Sequence, residues 1–354
     1  MPNFVKRVID AENKCEVCSV FDVNNNGVPD IVCGEYWYEG PDFVKKHKIC
    51  NLNYQEGYIW DFADIPIDVD GDGFLDIITG SWWDEGLYIR KNPGKKGLEN
   101  NELWETLKIC PLSNVETIRC YDIDNDGQAE IFPNCPGEPV FYMKLENGSF
   151  KKHVISKENA GHGLGVGDID GDGLLEIITS KGIYHRPKEG GGLWDYSEEY
   201  DLGTASVPIL MYDVNKDGLP DLIYGAAHNY GLFWLEQKRA ADGTRSWQKH
   251  VIDLAWSQYH DMQLVDINND GEPELLTGKR FEAHNGNDPG DSGEVFICFY
   301  TFRDNGFYRH IIDYGDPHNG ASGLGLYAWT ADITGNGKPD IVAPGKEGLY
   351  LFTQ

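Results

Sequence analysis

The chain has 354 residues, of which 12% are aromatic and 42 are glycine, and its formal net charge is −28. An acidic excess of this size disfavours nucleic-acid binding, which needs a basic face against phosphate, and no apolar run approaches the roughly 18 residues of a membrane helix. Length alone would allow two domains of about 150 residues, but one repeat runs from end to end without a linker, so residues 1–354 read as a single domain.

The repeat is an acidic turn, D-x-[DN]-x-[DN]-G-x-x-[DE], at 22–30, 68–76, 122–130, 168–176, 213–221, 266–274 and 332–340. Its oxygen-bearing positions are Asp22, Asn24, Asn26 and Asp30; Asp68, Asp70, Asp72 and Asp76; Asp122, Asp124, Asp126 and Glu130; and Asp168, Asp170, Asp172 and Glu176. They continue with Asp213, Asn215, Asp217 and Asp221; Asp266, Asn268, Asp270 and Glu274; and Asp332, Asn336 and Asp340, where Thr334 takes the third place. The first aspartates are 46, 54, 46, 45, 53 and 66 residues apart, the range of a propeller blade.

Oxygen ligands two apart around a glycine turn suit a hard cation of Ca²⁺ size, so structural Ca²⁺ is the expected occupant. The alternative is an Asx-rich turn that holds itself without metal, above all at 22–30 and 332–340, which carry the fewest carboxylates. These positions hold 22 of the 58 acidic residues, so much of the acidity reads as metal housing.

Short apolar runs flank every turn and read as strands, not helices. FVKRVID at 4, FVKKHKI at 43, FKKHVIS at 150, WQKHVID at 247 and FYRHIID at 307 supply a basic outer strand. GLYIR at 86, PVFYMKL at 139, GLFWLEQ at 231, EVFICFY at 294 and GLYLFTQ at 348 supply a third strand. The expectation is an all-β, seven-bladed β-propeller with four-stranded blades. The last copy ends after a third strand while FVKRVID stands alone at the start, so the N-terminal strand should pair into the last blade and close the ring.

The eight cysteines fall mostly inside apolar runs and read as buried thiols. MPNFVKRVID is no signal peptide, so the chain as given reads as cytoplasmic; a mature secreted form would start the same way.

The acidic loop followed by D-I-[IV]-x-G is similar to the FG-GAP or VCBS repeat, and the whole chain resembles that family. GHGLGVGDIDGDG, SVPILMYDVNKDGLPDLIYGAAHNYGLFWLEQ and LLTGKRFEAHNGNDPG resemble a bacterial, carbohydrate-active branch, with the propeller of fungal aldos-2-ulose dehydratases as a more distant analogue. The resemblance implies the propeller directly and function only by association.

In a four-stranded blade the acid loop joins strands one and two on one rim. The start of strand one and the turn after strand two then share the opposite, open rim. Six residues before each first aspartate stand Glu16, Phe62, Glu116, His162, Val207, His260 and Leu326. Past the second strands come Glu35 and Trp37, Trp82 and Trp83, Lys181, His228, Lys279 and Arg280, and Lys346. Four histidines, His47, His153, His250 and His310, belong to the outer strands and read as solvated; His162, His185, His228, His260, His284 and His318 map to the open face. The longest excursions, 279–292 and 314–324, project there too, with Trp82, Trp83, Tyr184, Tyr230, Tyr259 and Phe281 as candidate stacking surfaces for sugar rings.

Imidazoles beside Lys279 and Arg280 suit a substrate that develops an oxyanion, as when a proton is removed next to a carbonyl or carboxylate. The expected activity is a carbon–oxygen lyase, a β-elimination on a keto sugar, 3-keto-glycoside or uronate, with His162, His228, His260, Glu116, Lys279 and Arg280 at its centre. Glu16, Glu35, Trp37, Asp61, Trp82, Trp83, Lys181, Tyr184, Tyr259, His284, His318 and Lys346 are the expected substrate contacts. A catalytic divalent ion on His162, His260 and Glu116 is a variant of this reading. A glycoside hydrolase using two of Glu16, Glu35, Glu116, Asp61 and Asp64, or a non-catalytic carbohydrate-binding propeller, are the alternatives. The sequence is silent on oligomeric state.

Overall fold

The acidic turns are built by their own side chains. In every copy the first aspartate accepts the N–H of the position-six glycine, as in Asp22 with Gly27 at 2.6 Å and Asp266 with Gly271 at 2.9 Å. In every copy the ninth-position carboxylate reaches back to the amide of the second position, as in Asp30 with Val23 and Glu274 with Ile267, both at 2.9 Å. These bonds fold the loop locally. The position-six glycines all have left-handed φ, from 81° at Gly337 to 91° at Gly271, a conformation that costs other residues about 1–2 kcal/mol. Position four is left-handed as well, from Asn25 at 56° to Gly171 at 79°, which explains its Asn and Gly; Lys216 at 61° is the exception.

Each turn joins an inner strand to a second strand buried on both faces between neighbouring blades, as at Asp30–Cys33, Asp76–Gly80, Glu274–Gly278 and Asp340–Gly345. The computed structural model describes residues 2–159, 161–188, 192–303 and 306–354. Among these, seven antiparallel four-stranded sheets form a seven-bladed β-propeller. The first blade runs Ser19–Phe21, Asp30–Cys33, Tyr36–Tyr38 and Lys46–Lys48; the fifth runs Leu210–Tyr212, Asp221–Gly225, Tyr230–Arg239 and Arg245–Ser257. The last consists of Trp329–Ala331, Asp340–Gly345, Gly348–Thr353 and the N-terminal strand Val5–Asp10, with Val5 opposite Thr353. The expected closure is therefore present.

Besides the excursions over 279–292 and 314–324, the repeat is broken by a helix, Gly94–Glu99, in blade two, and by a small hairpin, Tyr54–Gln55 with Tyr58–Ile59, between blades one and two. All eight cysteines are free, six of them buried.

The outer-strand histidines are not simply solvated. His47, His153, His250 and His310 each lie directly across from an aromatic of strand three, Trp37, Tyr142, Trp234 and Phe299. The rings sit 4.1, 4.8, 4.4 and 4.8 Å from those partners, so each pair seals a blade edge.

His185 is a second correction: it ends a third strand on the acid-loop rim, not on the open face. Its Nδ1 is 3.8 Å from Asp170 and its Nε2 is 3.0 Å from Ser197. On the same rim the Lys144 ammonium lies among Asp124, Asp126 and Glu130, and Lys91 pairs with Asp70.

Candidate functional site

The open rim gathers residues from two kinds of position. Glu16, Glu116, His162 and His260 stand just ahead of the inner strands Ser19–Phe21, Thr117–Tyr121, Leu164–Gly167 and Met262–Val265. His228 lies in the turn after Asp221–Gly225, and Arg280 follows Glu274–Gly278. Because inner strands converge on the axis, all six reach one mouth. A cavity of about 350 Å³ opens there, with Glu116, His162, His228 and Arg280 deep in it and Tyr58, Phe62, Trp82 and Trp83 as its wall.

The imidazoles share one arrangement. His162 places Nδ1 2.7 Å from the Ala205 carbonyl, His228 places Nδ1 2.8 Å from Asp288, and His260 places Nδ1 3.4 Å from the Gln258 carbonyl. Each Nδ1 therefore carries its proton toward an oxygen, which leaves Nε2 as the inward nitrogen. The Nε2 atoms of His162 and His228 are 3.1 Å apart, and Glu116 Oε1 is 3.4 Å from His162 Nε2. His260 is 3% exposed, and its Nε2 is buried without a partner among the described residues.

Arg280 donates from Nε to Glu16 at 2.8 Å and from Nη2 at 3.0 Å, a buried two-point pair. Its Nη1 is 3.9 Å from Glu116. Burial opposes ionisation of Glu116, but His162 and Arg280 outweigh it and hold the carboxyl down at about 2. Burial also lowers His228, aided by neighbouring His162 and His284, to about 4, and holds His260, with the help of Arg280, well below the usual imidazole range. His162 is pushed the other way: burial lowers it, but Glu116 raises it more.

The loop over 279–292 completes the site. Asp288 accepts a hydrogen bond from His228 at 2.8 Å and lies within ion-pair distance, also 2.8 Å, of the His284 Nδ1, and the two rings stack at 4.2 Å. Glu282 donates its N–H to Asp291 at 2.8 Å, and the Asp291 side chain takes the Gly286 N–H at 2.8 Å, so the loop is tied to itself. The Tyr58 hydroxyl donates to the Ala283 carbonyl, which joins the hairpin insertion to this loop across the cavity.

Several expected site residues lie elsewhere. Lys279 turns away from the cavity and donates to the Ser292 and Glu294 carbonyls at 2.6 and 3.0 Å, so it pins the loop that carries Asp288. Trp37, Tyr184 and Tyr259 are buried in inter-blade packing, at 3%, 4% and 0% exposure. Asp61 is buried against Arg90 at 3.0 Å, with Asp64 at 3.3 Å from the same guanidinium. Glu35 accepts the Leu52 N–H at 2.7 Å beside a separate cavity, and Lys181 is exposed on blade four. His318 packs on Phe281 at 6.0 Å in a third cavity. Lys346 lies behind the site, its Nζ 3.8 Å from the Tyr58 ring centre and 2.6 Å from the Glu282 carbonyl.

Tyr58 and Asp288 were not anticipated. Asp288 sits in the long 279–292 excursion, a signal for the loop but not for the residue; the aromatic run YIWDF at 58 was the only pointer to Tyr58.

Residues 68–132, 122–179 and 213–277 match the FG-GAP-like repeat model. No curated protein matches the sequence. Among solved structures, BBS1N in complex with ARL6DN aligns over 99% of this chain and 96% of its own, at 11% identity and a TM-score of 0.57. The rhamnogalacturonan lyase YesW aligns over 100% and 74%, at 12% identity and a TM-score of 0.49. The V. cholerae biofilm matrix protein Bap1 aligns over 72% and 40%, at 20% identity and a TM-score of 0.36. Identities this low speak to fold alone.

Proposed function

This chain belongs to the FG-GAP-like repeat family as a seven-bladed propeller, and we propose that its open mouth is the active site of a carbohydrate-directed carbon–oxygen lyase. The observation that carries the reading is the convergence of His162, His228, His260, Glu116 and Arg280 beneath an aromatic-walled cavity of about 350 Å³. Such a cavity holds one or two sugar rings, with Trp82 and Trp83 placed to stack on them.

The substrate class is a sugar with a carbonyl or carboxylate next to the carbon that loses its proton. His284 is the assigned base. It lines the cavity, its side chain is 47% exposed, and its Nδ1 lies 2.8 Å from Asp288, which would pair with the imidazolium formed when Nε2 accepts a proton. The α-proton passes to Nε2, the electron pair forms the new C=C bond, the β C–O bond breaks, and the imidazolium returns the proton to the leaving oxygen. Arg280, fixed by Glu16, faces the oxygen on which negative charge grows. Paired-carboxylate hydrolysis fits less well, because Glu16 is held by Arg280 and Glu116 stays ionised rather than serving as the acid.

The test is absorbance near 230–240 nm, where a conjugated enone or enoate absorbs, after mixing the protein with keto-glycosides or uronate oligosaccharides. A rising signal supports the lyase. Calorimetric binding of those sugars with no rise would replace it with a carbohydrate-binding propeller.

The acid loops are proposed to take structural Ca²⁺ where their oxygens converge, as at Asp68, Asp70 and Asp76, whose ligand atoms lie within 4.8 Å of one another. The third loop fits an ion less well, since the Lys144 ammonium lies among Asp124, Asp126 and Glu130, whereas in the second Lys91 engages Asp70 alone. Equal melting temperatures in calcium and in chelator would remove the structural ion.

A further inference from the structure

We propose that His162, His228 and His260 hold a divalent transition ion of the Zn²⁺ class at the floor of the mouth, with an open position toward the cavity. The ligand nitrogens of the three lie within 4.8 Å of one another. Two nitrogens bound tetrahedrally at about 2.0–2.1 Å are separated by about 3.3 Å, and the Nε2 atoms of His162 and His228 are 3.1 Å apart. With both Nδ1–H groups committed to Ala205 and Asp288, those two Nε2 lone pairs face each other, which is repulsive unless a cation lies between them. His260 adds a third inward nitrogen, buried and unpartnered among the described residues.

The outer contacts match what metal-binding imidazoles need: a backbone carbonyl behind His162, a carboxylate behind His228 and a more distant carbonyl behind His260. Three imidazoles select a borderline ion over the hard cations suited to the all-oxygen loops on the other rim. Glu116 and Arg280 flank the trio and leave its cavity side to a substrate oxygen. The assignment of the ion stands on this geometry; its role as a carbonyl-polarising acid rests on the lyase reading.

Co²⁺ is the probe, titrated into chelator-stripped, full-length protein in excess Ca²⁺ so that the acid loops are masked. The expected result is one Co²⁺ per chain with the visible bands of a four-coordinate nitrogen site, discharged by Zn²⁺. His260→Ala and His228→Ala should abolish the bands, and Asp288→Asn should weaken binding about 10–100-fold. Circular dichroism confirms that each variant folds. Absence of the bands in the wild-type protein, or bands unchanged in both histidine variants, overturns the site and leaves a proton as the shared cation. Elimination is followed on the same samples: bands without turnover sink the lyase reading alone, and full turnover in metal-free protein overturns the ion's part in the chemistry.

Discussion

The two rims of this propeller are made from the same seven repeats, yet they are opposite in character. On the acid-loop rim every blade repeats the same hydrogen bonds, from Asp22 with Gly27 to Asp332 with Gly337, and most neighbouring differences are matters of degree. On the open rim equivalent positions hold Glu16, Phe62, Glu116, His162, Val207, His260 and Leu326, and no two adjacent blades agree. Repetition closes the ring. Departure from it, at one register position, in the small hairpin at 54–59 and in the loop over 279–292, assembles a cavity.

The comparison can be broken most directly at the mouth. His284→Ala should lower turnover by about 10²–10⁴-fold, the usual worth of a positioned base, while the melting temperature stays put; unchanged kinetics would return the mouth to a binding role. Glu16→Gln should lower stability by about 3–5 kcal/mol in urea unfolding, because Arg280 then keeps a buried charge without its carboxylate.

Glu347 offers a pH readout away from the imidazoles. Burial pushes its carboxyl up to about 7, reinforced by Glu16 and opposed by the Gly323 amide and Lys6. A folded-state pKa above the unfolded value near 4.3 means that this stability is fully present below that value and is lost as pH rises through about 7. Glu347→Gln should flatten that decline in a series of urea midpoints.

On the opposite rim the effects are smaller. Gly218→Ala adds a Cβ that meets no atom within 4 Å, so its expected cost of about 1–2 kcal/mol is that of left-handed backbone alone, with turnover unchanged. Two residues earlier, Lys216→Asn should raise stability by about 0.5 kcal/mol, since Asn tolerates the φ of 61° that Lys resists. A loss of turnover in either variant would couple the rims.

The contrast also marks what could be read before the fold was known. The ring, its count and its closure followed from spacing and turn chemistry, because Asp and Gly at fixed offsets dictate local hydrogen bonds. Glu16, Glu116, His162 and His260 were legible through a single register position. Lys279 was not, since it and Arg280 both lie past the end of the second strand, where no register tells that Arg280 turns to Glu16 while Lys279 turns to the Ser292 and Glu294 carbonyls. Trp37, Tyr184 and Tyr259 carry the ring type of a sugar platform, but the same rings fill the wedge between blades. Asp288 and Tyr58 belong to insertions, which have no register to read. His185 was misplaced because its strand crosses the blade and ends on the far side.

The pairing of Val5–Asp10 with Gly348–Thr353 has a consequence for biosynthesis. The ribosome makes Val5–Asp10 well before its mate Gly348–Thr353, so the six blades between them must wait, with one flank of the wheel open, until that second strand emerges. Linking residue 354 to residue 1 and opening the ring at another inter-blade connector would give every blade a contiguous origin and should shorten that exposed interval.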